Sequence, residues 1–258
     1  MSSQAQTSET QFDYARGRKL MTEQANAAIE GCLDAGAGEI VVADGHGNAQ
    51  NILPEELNES VSLIRSFPRS LLQMEGIDSS FDGVILLGYH AKEGTPNADI
   101  SHTIAGGMIH ELRINGTPVS EAVLNAAVAG YFNVPVILVC GDQNVTREAS
   151  AIFGGVETVR TKESLGWTSA KARHPRVICG EIREKVQNAV RRISQMKPYT
   201  VDTPVTMELT FKNIALAEAV AYLLWVKRSG GKTIMIETLT ILEVNRFITA
   251  LFALGMAR

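Results

Sequence analysis

Apolar and polar positions fall into blocks along this chain, and each block has its own period. Residues 14–35 place Met21, Ala25, Ala28, Ile29 and Cys32 on one side of a helical wheel, which predicts an amphipathic helix with a single buried stripe. Gly36 and Gly38 follow and suit its end. Residues 39–43, Glu-Ile-Val-Val-Ala, are nearly all apolar and rich in β-branched side chains, the pattern of a parallel strand buried on both faces. Residues 83–88 and 134–140 repeat that pattern. Ser120 and Glu121 open a predicted helix over 122–132, and another helix is expected from about Thr146. Strands alternating with helices in this way define an α/β fold with a doubly wound, mostly parallel sheet. Residues 102–115 read as an inserted extended segment, with a strand and turn at 111–116.

The texture changes after Lys197-Pro198. Residues 205–211 alternate strictly, as a half-exposed strand does. Helices are expected over 215–224 and 240–256, with a strand at 232–237 between them. The chain therefore divides into a lead over 1–11, an α/β domain over 12–197 and a smaller C-terminal α+β unit over 198–258. The lead has almost no apolar side chain and is expected to be disordered.

Composition narrows the function classes. A formal net charge of -4 gives no electrostatic ground for nucleic acid or an anionic membrane as partner. The longest apolar runs, 134–140 and 220–226, are too short to span a bilayer. The N-terminal residues have neither the basic nor the apolar stretch of a secretory signal, so the expected location is the cytoplasm. Cys32, Cys140 and Cys179 are odd in number, far apart and without a CxxC pair, and are expected as core thiols.

The chemistry collects just past the strand ends, where ligands bind in open parallel sheets. Those ends read Asp44-Gly-His46, Gly88-Tyr-His90 and Gly141-Asp142, with His102 in the loop after His90 and Glu121 at a helix start. Imidazole nitrogen with carboxylate oxygen is a ligand set that suits zinc. Other roles are open for the same residues: Asp44 and Asp142 can cap turns, and Glu121 can complement a helix dipole. A metal-free site pairing Asp44 with Glu121 is a further alternative.

Taken in order, Val42-Ala-Asp44-Gly-His46, Leu86-Leu-Gly-Tyr-His90-Ala, Ile100-Ser-His102-Thr, Pro118-Val-Ser-Glu121, Gly130-Tyr-Phe-Asn-Val-Pro-Val and Cys140-Gly-Asp142 resemble the zinc-dependent D-aminopeptidases of the dipeptide-transport operon type, peptidase family M55. The resemblance implies two zinc ions per subunit, with His46 on one and His90 and Glu121 on the other. It implies His102 as a catalytic residue. It also implies short peptides with an N-terminal D-residue as substrates, and homo-oligomeric rings.

One departure matters. Family members begin with a buried strand ending in Asp-x-Glu-Gly that supplies two further metal ligands, and nothing before Tyr14 reads so. His46, His90 and Glu121 by themselves are expected to hold at most one metal well. The expectation is a chain that starts late relative to the family; the alternative is a degenerate member acting as a binding or structural subunit.

Other motifs are set aside. Ser229-Gly-Gly-Lys232-Thr233 precedes a predicted strand rather than the helix a P-loop needs. His110 and His174 are expected in structural roles, as is Tyr89 on the rim.

Overall fold

A computed structural model describes residues 4–255. Helix α1 (Tyr14–Asp34) leads into strands β1 (Val41–Ala43), β2 (Ser62–Ile64) and β3 (Val84–Tyr89). A hairpin of β4 (Ile109–Ile114) and β5 (Thr117–Pro118) precedes helix α2 (Glu121–Tyr131). Next come β6 (Val136–Asp142), α3 (Gln143–Ile152), β7 (Glu157–Gly166), β8 (Ser169–Ala172) and α4 (Pro175–Arg191). The chain finishes with β9 (Val205–Phe211), α5 (Ile214–Val220), β10 (Lys227–Arg228), β11 (Thr233–Thr238) and α6 (Ile241–Gly255).

Strands β3, β6 and β7 pair in parallel, and β8 adds to β7 antiparallel. All seven residues of β6 are buried, and residues 136–140 are accordingly an unbroken apolar run. Its Leu138 and Cys140 pack with Val159 against Ala28 and Cys32 of α1 and Ile178, Ile182 and Val186 of α4. Val139 faces the other side, in one core with Leu86 and the buried residues of α2 and α6. Helices on both faces make this layer doubly wound. Gly31 permits the close crossing of α1 and α4: a Cβ there would lie 2.6 Å from the Arg183 carbonyl oxygen.

Strands β1 and β2 form a separate two-stranded parallel ribbon. Among the described residues no ladder joins it to β3, so the parallel strands fall into two pieces. Polar side chains of α1 fasten the ribbon's connection. Asn26 donates to Glu56 O at 2.8 Å and accepts from Asn58 N at 2.9 Å, and Thr22 accepts from Leu53 N at 3.1 Å.

The smaller unit is a five-stranded sheet in the order β10-β11-β9-β4-β5, with antiparallel pairing throughout. Strand β9 buries Val205, Met207, Leu209 and Phe211 in strict alternation, as its sequence pattern requires. The inserted segment is part of this sheet, because Ile109, Leu112 and Ile114 need an apolar partner and find it beside β9. The smaller unit thus draws on chain well before residue 198. Helix α5 stops at Val220, short of the expected 224, and Leu224 is fully exposed. The β7–β8 hairpin and α4 occupy a stretch to which the sequence pattern above assigns no element.

Residues 1–3 of the lead and Met256 of the last expected helix lie outside the described residues. The rest of the lead packs on the domain rather than standing free. Gln4–Gln6 form a short 3-10 turn, Gln6 is buried and its amide donates to Asp13 at 2.8 Å. The Gln6 amide and the Thr7 carbonyl, which lies 2.8 Å from His46 Nε2, are among the contacts that hold it there. Among the described residues, no helix is long and apolar enough to cross a membrane.

Candidate metal centre

Strand β3 ends at Tyr89 and delivers His90 to the carboxyl edge of the sheet. The edge is held by Asp142, at the end of β6. Its Oδ2 accepts from Ala91 N at 3.0 Å, while its Oδ1 caps α3 by accepting from Asn144 N and Val145 N. Gly141 lets the strands approach, since a Cβ there would lie 2.1 Å from the Tyr89 carbonyl oxygen. Glu121 is the first residue of α2, after the N-cap Ser120, whose hydroxyl accepts from Val123 N. A carboxylate in this first turn is favoured by the helix dipole.

Three side chains converge here. His90, His102 and Glu121 each offer a ligand atom, and these atoms lie within 4.8 Å of one another. Nε2 of His90 is 4.0 Å and Nε2 of His102 3.7 Å from Glu121 Oε1. The two rings stack with centroids 3.9 Å apart. Each imidazole has its Nδ1 against a backbone carbonyl: His90 against Ala91 O at 3.1 Å, and His102 against Ile100 O at 2.8 Å. A carbonyl oxygen only accepts, so each Nδ1 donates, and the Nε2 atoms are the nitrogens turned to the carboxylate. Two imidazole nitrogens and a carboxylate oxygen match the donor chemistry of a zinc-type divalent cation.

The surroundings keep His90 in ligating form. Burial above all, and then the facing His102, lower the His90 pKa to about 4, against the opposing pull of Glu121. Glu121 is itself fixed, with Oε1 accepting from Ile104 N at 2.7 Å and Oε2 from Gln73 Nε2 at 2.9 Å.

His46 comes off the ribbon, on the turn after β1. It stands outside the three-residue cluster, although it is close enough for His102 and Glu121 to influence its pKa, which burial lowers. Its Nε2 is 2.8 Å from the Thr7 carbonyl oxygen. The site expected from the sequence is therefore brought together in part: His90, Glu121 and His102 meet, and His46 flanks them.

Asp44 does not join as a catalytic carboxylate. It is buried and accepts from Asn51 N at 2.5 Å, Asn51 Nδ2 at 3.0 Å and Ile52 N at 2.7 Å, so its oxygens are spent on closing the turn. Tyr89 packs against the main core and accepts from Asn125 Nδ2 at 2.7 Å. His174 caps α4, accepting from Arg176 N, and His110 is exposed. Burial pushes the Cys32 and Cys140 thiols up to about 11 and about 12, making them inert core groups. Residues 229–233 lie in the β10–β11 hairpin, where Arg228 donates to the carbonyls of Gly230 and Gly231. Gln73 is beyond sequence reasoning, because it sits in a 3-10 turn at Leu72–Met74 with no periodic pattern around it.

An α/β sheet whose carboxyl edge gathers an imidazole pair and a carboxylate defines a metallohydrolase-type protein. Comparison with known proteins makes the assignment narrower. The family model described as D-aminopeptidase, Peptidase_M55, matches residues 1–250. A D-aminopeptidase of Bacillus subtilis (strain 168) is 33% identical over 229 residues, covering 89% of this chain and 81% of that relative. The solved structure of the Zn-dependent D-aminopeptidase DppA from Bacillus subtilis, described as a self-compartmentalizing protease, superposes with a TM-score of 0.94 at 29% identity. It covers 100% of this chain and 94% of the other. The chain belongs to the D-aminopeptidase family, and its enzyme class is that of the metallo-aminopeptidases.

Proposed function

We propose that this protein is a zinc-dependent aminopeptidase that removes N-terminal D-residues from short peptides, working at the carboxyl edge of β3. The observation that carries this reading is the pair of imidazole Nε2 atoms 4.0 and 3.7 Å from Glu121 Oε1. His90 and Glu121 would hold zinc, with His46 flanking as ligand to a second ion. His102 would act as the catalytic residue. When bound, zinc supplies Lewis-acid polarisation of a scissile carbonyl and acidifies water. His102, with Nδ1–H given to Ile100 and Nε2 bare, is arranged to take a proton and return it to the leaving amine. Ile104 N and Gln73 keep Glu121 in register and cost it no reorganisation during turnover.

The experiment is zinc analysis with hydrolysis of D-alanyl against L-alanyl dipeptides. The expected result is bound zinc, D-selective hydrolysis, and loss of hydrolysis but not of zinc in His102→Ala. Absence of zinc would sink the reading.

A second reading is favoured by one observation, the engagement of His46 Nε2 by Thr7 O. It takes the chain as a non-catalytic member that assembles without hydrolysis. Self-assembly into homo-oligomers is proposed under both readings and is checked by sedimentation velocity; only the first requires turnover.

A further inference from the structure

The strongest polar feature outside the metal centre is a buried ion pair one loop away from it. Lys162 Nζ of β7 lies 2.6 Å from Asp99 Oδ2, and the two side chains are 5% and 0% exposed. Asp99 belongs to the loop of residues 91–102 that begins beside His90 and ends on His102. The loop meets the β7–β8 hairpin at two further points. Asp99 N donates to Ser164 Oγ at 2.8 Å, and Ile100 N donates to Trp167 O at 2.6 Å.

Ile100 is the link to the site. Its carbonyl is the acceptor against which His102 Nδ1 rests at 2.8 Å. Its φ is +46°, a left-handed conformation that a β-branched side chain avoids unless its surroundings impose it. The imposing contacts are the Trp167 carbonyl on its own N–H and the anchored carboxylate of the residue before it. If the anchor is released, the backbone at Ile100 returns to an ordinary conformation, its carbonyl turns, and His102 loses the partner that fixes its tautomer and its stacking on His90.

Resting on the functional reading above, we infer that Lys162, acting through Asp99, is the positioning residue that aims His102 at Glu121. Lys162 touches neither substrate nor metal in this role. Its ammonium clamps the histidine-bearing loop to the β7–β8 hairpin, so the hairpin is a structural part of the catalytic apparatus.

The test uses the full chain labelled with 15N-histidine, with imidazole nitrogen shifts assigned through His90→Gln and His102→Gln. Lys162→Met by itself strands a buried carboxylate and can unfold the protein. The paired variant Asp99→Asn with Lys162→Met is neutral, similar in volume and keeps the fold. Its melting temperature should sit near that of the parent. In the folded double variant, the His102 nitrogens should move from a single Nδ1–H tautomer to a mixture and lose the ring-current shift of the stacked pair. In protein that hydrolyses peptide, kcat should fall roughly 10- to 100-fold with KM within about threefold, the range expected when an orienting partner is removed. Imidazole shifts identical to the parent in the folded double variant would overturn the inference, whatever the protein's activity. Shifts that move as expected in a protein showing neither zinc nor hydrolysis would uphold the positioning role while removing the peptidase reading.

Discussion

His90 and His102 lie face to face, 28° from parallel, with their Nδ1 atoms each taken up by a main-chain carbonyl. A second positive charge beside the first is disfavoured in rings this close, because like charges repel at contact distance. Burial first and the facing His102 second lower the His90 pKa to about 4, so His90 is neutral at neutral pH, and Glu121 Oε1 faces both Nε2 atoms.

Gln73 is the side-chain partner of Glu121 Oε2, and the second oxygen is held by a backbone N–H. Gln73→Ala should therefore weaken zinc binding by roughly 10-fold, the effect typical of an outer partner, with the fold intact. Competition titration with a chromogenic chelator reads it. An unchanged affinity would remove Gln73 from the site.

Acid should destabilise the metal-free protein in a defined window. The His90 pKa is lowered from 6.5 to about 4 by burial first and by His102 second, so the unfolded chain binds the proton more readily than the folded one. Stability is complete above about pH 6.5. It falls as the pH drops towards about 4 and then levels, with up to about 3 kcal/mol lost through this residue. Urea unfolding of metal-stripped protein at several pH values measures the slope. His90→Gln should flatten it.

Gly141 has no room for a methyl group, since a Cβ at this position would meet the Tyr89 carbonyl oxygen at 2.1 Å. Gly141→Ala should cost about 1–3 kcal/mol by overpacking. It should also lower zinc affinity, because the strand that gives way is the one that carries His90. Denaturant midpoints and zinc titration on the same preparation separate the two effects.

Asp44→Ala leaves the N–H groups of Asn51 and Ile52 without their acceptor, and about 1–3 kcal/mol for each buried unmet donor sets the expected scale of destabilisation. Zinc binding by His90 and Glu121 should survive, whereas a catalytic Asp44 would show as lost turnover at unchanged stability. Thermal melting beside steady-state kinetics distinguishes these results.

The sequence is most informative where burial is uniform. Strand β6 opens with an unbroken apolar run because it is buried on both faces, and β9 alternates because one face is. Helix α4 also leaves a trace: Ile178, Ile182, Val186 and Ala189 share one face and Pro175 opens the helix, but residues 157–197 begin with an amphipathic hairpin that breaks any single period. His90, His102 and Glu121 are legible as strand-end, loop and helix-start residues. Gln73 and Lys162 are not, for a lone amide in a short turn and a lone lysine in a strand look like surface residues until the fold gives them partners. His46 is legible as a residue past a strand end, but its engagement with Thr7 depends on a polar lead whose placement no periodicity announces.

The centre takes its histidines from two differently held pieces. His90 rides on a strand placed by its ladder with β6. His46 rides on a ribbon whose connection is moored by the Thr22 and Asn26 side chains of α1. A substitution at Thr22 or Asn26 therefore bears on His46 first, and one in β6 on His90.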